Sequence, residues 1–238
     1  MRKFIITLTF FAILSSTFAN TVDSLSKSDQ IRIYSGFRFG FGGAKQRNTI
    51  INGQDGKFLL NPNMGAVLWV RFREHIGIMA EVNYSMKGIR FKNVDKDTIN
   101  LFQRKIHYFE FPILLHASIG TQRFTEFVEI GIAPSYISGF YDEMSSYVDK
   151  EPVKTEYQEY YYNKPLPFPT QRFDISVLIG AGLSIKLGPG ILHTGFRTNI
   201  GLLDIYRDDR IGDVNQNQRQ FNFQVQFGYL WHIKSFTK

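Results

Sequence analysis

The sequence contains no cysteine among its 238 residues. This excludes a disulfide framework, a thiolate zinc site, an iron–sulfur cluster, a cysteine nucleophile and a lipid-modified cysteine anchor. Beyond Asn20 there is also no run approaching the ~18 apolar residues of a membrane helix. The GxSxG, HExxH, P-loop, EF-hand and GxGxxG motifs are missing, and the five histidines are scattered with no i, i+4 pair. We therefore expect no catalytic residue, no metal site and no cofactor, and predict that the chain is not an enzyme.

Aromatic residues, in contrast, are abundant. There are 23 phenylalanines, 12 tyrosines and 2 tryptophans, so 16% of the chain is aromatic, although the mean hydropathy is only −0.18. Such a chain is not expected to be disordered. The net charge is +7, but lysine and arginine form no long run or helical stripe. We therefore expect no nucleic-acid partner; lipid phosphates and anionic saccharides are better candidates for contacts with loop cations.

The N-terminus has the pattern of a secretory signal peptide. Arg2 and Lys3 precede the apolar residues 4–14, and the small residues Thr17 and Ala19 follow. The sequence predicts a signal peptide over residues 1–19 that is cleaved after Ala19, a short periplasmic leader over 20–30, and a folded domain over 31–238. A membrane anchor is the alternative, but the apolar run is shorter than the ~20 residues that a spanning helix needs.

Strict alternation of apolar and polar residues is the main structural signal. In residues 31–42 one face carries Phe37, Phe39 and Phe41, whereas the other carries arginine and glycine. Period two over this length predicts a β-strand with two chemically different faces. The same pattern predicts eight strands, over residues 31–42, 64–72, 76–88, 107–117, 127–136, 173–186, 192–201 and 221–233.

The connections between these strands alternate in length. Long ones (residues 43–63, 89–106, 137–172 and 202–220) follow the odd strands, and short ones (73–75, 118–126 and 187–191) follow the even strands. Membrane-spanning strands need about 9–11 residues. These features together predict an all-β fold, an eight-stranded antiparallel up-and-down transmembrane β-barrel with long extracellular loops and short periplasmic turns, placed in the outer membrane and surrounded by its lipid.

A secreted soluble barrel, with its apolar face around a ligand, would show the same periodicity. The composition of the polar face favours the membrane barrel. Solvent-facing strands are normally rich in lysine and glutamate, whereas here the polar face is mainly Gly, Ser, Asn and Gln with scattered charges. Small residues with a few charges that can pair suit the crowded lumen of an eight-stranded barrel.

In such a barrel the charged residues of the polar face point into the lumen. They form a predicted lumen polar network of Arg32, Arg38, Glu81, Lys87, Glu110, Glu129, Asp174, Lys186 and Arg197, accompanied by His116, His193 and His232. Opposite charges should pair there, because an unpaired ion in a narrow interior is costly. We interpret the network as a structural plug, with a path for protons or small solutes as the alternative. Eight strands leave no open channel of the porin kind.

The connection over residues 139–171 is the most unusual one. It contains Tyr141, Tyr147, Tyr157, Tyr160, Tyr161 and Tyr162, together with six acidic residues and four prolines. Tyrosines among charged residues are typical of protein-binding surfaces. We therefore regard these six tyrosines as a candidate partner-binding loop, with a simple cover over the barrel mouth as the alternative.

Residues 108–115, Tyr-Phe-Glu-Phe-Pro-Ile-Leu-Leu, resemble a Tyr-Leu-Glu-Ile-Pro-Leu-Leu-Leu strand of the PorT-like outer-membrane β-barrel family of Bacteroidetes. Residues 173–175 with 180–182, and residues 196–202 with 204–205, are similar to its later strands. The resemblance covers nearly the whole mature chain. It implies an outer-membrane barrel and, for PorT itself, involvement in type IX protein secretion.

Three functional hypotheses follow from the sequence. The first is a small outer-membrane barrel with a structural or partner-binding role that is not an open porin. The second is a component that assists type IX secretion and contacts other envelope or secretion proteins through residues 139–171. The third is a soluble ligand-binding barrel or an outer-membrane enzyme.

Overall fold

The computed structural model describes residues 30–46, 50–51, 54–55, 57–73, 75–95, 98–121, 123–148, 151–161, 172–203 and 219–237. The predicted signal peptide and all but the last residue of the predicted leader lie outside these ranges. No helix long and apolar enough to cross a membrane occurs in them. Their secondary structure is β-strand. The strands are β1 (Gln30–Gln46), β2 (Ile50–Ile51), β3 (Gln54–Asp55), β4 (Leu59–Arg71), β5 (Ile76–Asp95), β6 (Thr98–Glu110), β7 (Ile113–Gly120), β8 (Phe124–Val148), β9 (Glu151–Tyr161), β10 (Phe173–Leu187), β11 (Gly190–Gly201) and β12 (Gln220–Thr237).

The sheet closes into a ring of eight strand lines. Each line pairs antiparallel with its neighbours, in the order β10, β11, β12, β1, β4, β5, β6 with β7, and β8, which returns to β10. β6 and β7 form one line that is interrupted at Phe111 and Pro112. Hydrogen bonds cross the interruption, from the Phe111 amide to the Pro134 carbonyl (2.8 Å) and from the Glu81 amide to the Pro112 carbonyl (2.9 Å). The predicted eight-stranded antiparallel barrel is confirmed.

The two faces of the wall differ as the alternation predicts. Phe37, Phe39 and Phe41 point outward with 56–58% of their surface exposed, whereas the inward Arg38 between them is 2% exposed. The outward surface is rich in phenylalanine, isoleucine and leucine, as expected of a wall that faces lipid. Near the short turns it carries an aromatic pair, in which the rings of Tyr229 and Trp231 meet edge to face at 4.9 Å.

The two ends of the barrel also differ. At one end short turns join β4 to β5, β7 to β8, and β10 to β11. At the other end three of the four predicted long loops are largely β-structure. β5 and β6 stay paired as far as Asp95 and Thr98, and β8 continues to Val148, where it pairs with β9. A four-stranded sheet of β5, β6, β8 and β9 therefore extends beyond the wall; we call it the projecting sheet.

Candidate functional site

Four charged side chains meet in the middle of the lumen. They are Arg38 on β1, Glu81 on β5, Glu129 on β8 and Arg197 on β11. No two of these strands are adjacent in the ring. Alternation turns each of them inward, and the register of the strands brings them to one height. All four are at most 4% exposed. We call this group the ionic cluster.

Arg197 holds both carboxylates of the ionic cluster. Its Nη1 and Nη2 donate to Oε2 and Oε1 of Glu81 (2.8 and 3.0 Å), and its Nε and Nη2 donate to Oε1 of Glu129 (2.8 and 2.5 Å). Arg38 Nη1 approaches the same two residues, at 2.7 Å from Glu81 Oε1 and 3.5 Å from Glu129 Oε1. Two guanidinium groups thus balance two carboxylates, and the cluster carries no net charge.

Neutral polar groups make further contacts with the ionic cluster. Asn83 Nδ2 donates to Glu81 Oε2 (2.8 Å), and Arg38 Nη1 donates to Gln226 Oε1 (3.3 Å). Arg38 Nη2 lies 3.4 Å from His193 Nδ1, which must accept because a guanidinium only donates. Glu129 Oε2 accepts no hydrogen bond from the described residues and lies 4.0 Å from His116 Nδ1.

A second ion pair lies nearer the projecting sheet. Lys87 Nζ contacts Glu110 Oε1, and both side chains are almost fully buried. The Lys87 ammonium also lies over the ring of Tyr108, 4.7 Å from its centroid. Asp174 is 1% exposed and close enough to interact electrostatically with Lys87. This second group thus contains one lysine and two carboxyl groups, at a different height from the ionic cluster.

Aromatic side chains fill the lumen on the other side of the ionic cluster, toward the short turns. The Trp69 ring packs against Tyr34 (5.2 Å between centroids) and His116 (4.6 Å), and the Phe127 ring stacks on His193 at 4.1 Å. We call these five residues the aromatic layer. A gap of about 10 Å³ lies between it and the ionic cluster, room for about one water molecule. The described part of the lumen is thus packed with side chains at this level.

Two residues of the predicted network do not join it. Arg32 and Lys186 lie at the end with the short turns, where both line a cavity. Among the described residues neither has a carboxylate partner; Arg32 Nη2 donates instead to Gln30 Oε1 (3.3 Å). Both residues face the lumen but lie apart from the ionic cluster and from the pair of Lys87 with Glu110. Alternation fixes the face of a side chain but not its height along the barrel.

The tyrosines of the candidate partner-binding loop belong largely to the projecting sheet. Tyr141 and Tyr147 lie on β8, and Tyr157 on β9 is 59% exposed. The rings of Tyr141 and Tyr157 are 5.8 Å apart, and Lys105 Nζ lies 5.2 Å from the Tyr141 centroid. Tyr160 and Tyr161 are placed on β9 by their backbone, and Tyr162 lies outside the described residues.

The sequence reasoning missed an ion pair that ties the projecting sheet together. Arg104 Nε and Nη2 donate to Oδ1 and Oδ2 of Asp142 (2.7 and 2.6 Å), a bidentate pair between β6 and β8. Lys105 and Glu143 pair at 3.4 Å next to it. All four residues fall in predicted loops, where the weak alternation gave no sign of cross-strand neighbours. Such bidentate arginine pairs are geometrically specific and hold β8 against β6 beyond the wall.

No group of three potential ligands in the described ranges is arranged to hold a metal ion. In the described lumen the two arginines and two glutamates of the ionic cluster pair with one another, and Lys87 pairs with Glu110, whereas Arg32 and Lys186 have no carboxylate partner there. The ionic cluster and the pair of Lys87 with Glu110 are almost fully buried, whereas Arg32 and Lys186 line an open cavity at the end with the short turns.

Several solved structures share similarity with this chain. Neisserial surface protein A is 12% identical with a TM-score of 0.41, and the match covers 82% of this chain and 95% of that one. The protein OprG from Pseudomonas aeruginosa is also 12% identical with a TM-score of 0.41, covering 87% and 98%. The outer membrane enzyme PagL is 12% identical with a TM-score of 0.42, covering 82% and 97%. No curated protein sequence matches the chain.

The comparison with protein families gives a match over most of the sequence. Residues 18–207 match the family described as outer membrane protein beta-barrel domain. The match includes every strand except β12, which the structure adds as the strand that closes the ring between β11 and β1. The chain therefore belongs to the outer membrane protein β-barrel domain family.

Proposed function

We propose that the protein is a closed outer-membrane barrel that carries a partner-binding surface, the projecting sheet, outside the membrane. Membership of the family places the chain in the outer membrane. The observation that carries the proposal is the length of β8, which has 25 residues where a spanning strand needs about 9–11. The excess extends the sheet that bears Tyr141, Tyr147 and Tyr157.

The surface of the projecting sheet has the chemistry of a protein-binding site. Tyrosine supplies a large, rigid contact area at low entropic cost, and charged neighbours supply specificity. Lys105, Glu143 and the tyrosines at 141 and 157 lie together on it. Because the pair of Arg104 with Asp142 holds the two strands together, a partner would meet a largely preformed surface, which lowers the cost of binding. We propose another envelope protein as that partner.

Shortening the β8–β9 hairpin tests this role. Phe140 and Tyr160 are opposite each other, so residues 141–159 can be replaced by Asn-Gly as a two-residue turn, which removes the tyrosines at 141, 147 and 157. A matched control shortens the β5–β6 hairpin between the paired Lys92 and Leu101 in the same way. We expect cross-linking in intact cells to lose its partner bands in the first variant and keep them in the control. If the first variant kept its partner bands, the β8–β9 hairpin would not be the partner-binding surface, and the alternative of a simple cover over the barrel mouth would be favoured.

The packed lumen supports the proposal that the protein is not a porin. The ionic cluster and the aromatic layer block the described lumen in series. We expect planar-bilayer recordings of the pure protein to show no large, stable unit currents. Such currents would contradict a closed barrel.

A role in type IX secretion is the second proposal, supported by the resemblance of residues 108–115 to PorT-like barrels. These residues build the line of β6 and β7, with Glu110 turned inward to Lys87 and Phe109 outward. Their use in the wall explains the motif as a barrel-building element. Deleting the gene and measuring export of surface proteins tests the role directly: a block in export supports it, and normal export removes it.

A further inference from the structure

The end of the barrel with the short turns contains a cavity of about 550 Å³. Its floor includes Tyr34 of the aromatic layer and Ile191, and its walls are formed by the inward ends of the strands and by the turns. We call it the mouth cavity. The volume lies within the range of small-molecule sites, about 300–1,000 Å³.

Four cationic side chains line the mouth cavity. Arg32, Arg71, Arg123 and Lys186 line it, and the described residues contribute no aspartate or glutamate to the lining. Among those described residues, Arg32, Arg123 and Lys186 make no ion pair; Arg123 lies over the ring of Phe124. This differs from the interior, where the ionic cluster balances its charges.

The fold brings these cations together from separate strands. The Lys186 amide donates to the Arg123 carbonyl (2.9 Å), which fixes the start of β8 against the end of β10. Arg71 at the end of β4 lies over the Trp69 ring at 4.9 Å. Additional polar groups come from His75, and from His232, whose Nε2 lies 2.8 Å from Ser235 Oγ.

The surroundings increase the effect of this charge. A concave site with a low-dielectric wall focuses the field of its charges. Here the apolar and aromatic floor forms such a wall, and the neutral ionic cluster behind it adds no compensating charge. The ionic cluster therefore does not neutralise the positive potential of the mouth cavity, and this potential attracts an anion that enters from the side of the short turns.

We propose that the mouth cavity binds a small, soluble, phosphate-bearing anion. Guanidinium groups match phosphate oxygens through paired hydrogen bonds, and lysine adds a compact charge. The lining residues face the lumen rather than lipid, so a soluble anion reaches them directly, whereas a phospholipid headgroup would have to cross the rim of the barrel. Short turns face the periplasm in this class of barrel, so the anion comes from that compartment.

Inorganic pyrophosphate is a suitable probe, with calorimetry on the folded protein in phosphatidylcholine nanodiscs. We expect saturable binding that weakens as salt rises. The double variant Arg32→Gln with Lys186→Gln should weaken the affinity at least tenfold. The control is Lys45→Gln with Lys57→Gln, which removes the same charge at the opposite end of the barrel and should leave the affinity within twofold.

Heat-modifiable gel mobility establishes that each variant is folded. If the double variant does not fold, Arg123→Gln and Lys186→Gln are measured singly, and each should weaken binding severalfold. Absence of pyrophosphate binding by the wild type, or equal losses in the cavity and control variants, would overturn the proposal. Competition by nanodiscs that contain phosphatidylglycerol would overturn the soluble source and assign the cavity to a lipid phosphate.

Discussion

The ionic cluster allows a quantitative test, because one residue holds both of its carboxylates. Replacement Arg197→Met removes four charge-assisted hydrogen bonds, to Glu81 and Glu129, and leaves Arg38 as the one cation of the cluster. One negative charge is then uncompensated in a buried site. Removing one partner from a buried ion pair costs about 3–5 kcal/mol of unfolding free energy, and we expect a loss of this size.

A second substitution separates charge imbalance from lost packing. Adding Glu129→Gln to Arg197→Met restores equal numbers of positive and negative charges, and should recover about 1–3 kcal/mol. Arg123→Met is the matched control: the same change at an arginine of the mouth cavity should stay within about 0.5 kcal/mol.

Urea unfolding in lipid vesicles, followed by tryptophan fluorescence and by gel mobility, measures these differences. A cost for Arg197→Met no larger than that for Arg123→Met would refute the reasoning. So would a further loss on adding Glu129→Gln, because the excess carboxylate would then not be the source of the instability.

Five further substitutions test the lipid-facing surface, the lumen and one turn, and each is measured by the same unfolding assay. Ile130→Arg, on the outward face of β8 near the middle of the bilayer, should lower the free energy of unfolding by about 2–4 kcal/mol. Phe124→Arg, near the turn, should lower it by at most about 1 kcal/mol. Equal losses would contradict this position of the lipid layer. Gly180→Ala places a Cβ 2.7 Å from the carboxylate oxygen of Glu129, which the arginines hold in place, and should lower the free energy of unfolding by about 1–3 kcal/mol. Gly40→Ala places a Cβ 3.2 Å from the flexible side chain of Gln226 and should lower it by less. Gly188→Ala, at a turn position with φ of 59°, should cost about 1–2 kcal/mol, and no loss there would show that the turn relaxes.

The alternation in the sequence predicted the wall because its physical meaning is direct. Phe37, Phe39 and Phe41 alternate with small or charged residues, and period two has one structural counterpart, a strand with two different faces. The eight strand lines and their order around the ring follow from this pattern and from the lengths of the connections.

Height in the lumen could not be predicted in the same way. Arg38 and Arg32 share a face of β1, yet one joins the ionic cluster and the other lies at the mouth cavity. Arg38 lies farther along β1 than Arg32, and which side chains of other strands meet it there depends on how those strands are shifted relative to β1. The register describes how two strands are aligned with each other, so it cannot be predicted from the alternation within a single strand.

The projecting sheet escaped prediction for a different reason. Beyond the membrane both faces of a strand meet water, so the apolar and polar positions no longer need to alternate. The strands are held together there by the ion pair between Arg104 on β6 and Asp142 on β8, which are 38 residues apart in the sequence. Such a pair is visible only once the strands are aligned.

The closure of the ring has a consequence for how the protein assembles. β1 begins at Gln30 and pairs along its whole length with β12, which ends at Thr237. Until residues 220–237 have been synthesised and delivered, β1 and β11 present unpaired backbone edges, which hydrocarbon does not tolerate. We therefore expect the barrel to insert only after β12 has paired with β1, in one concerted step and not strand by strand. A chain that lacked β12 would remain on the aqueous side of the membrane as a substrate for chaperones and proteases.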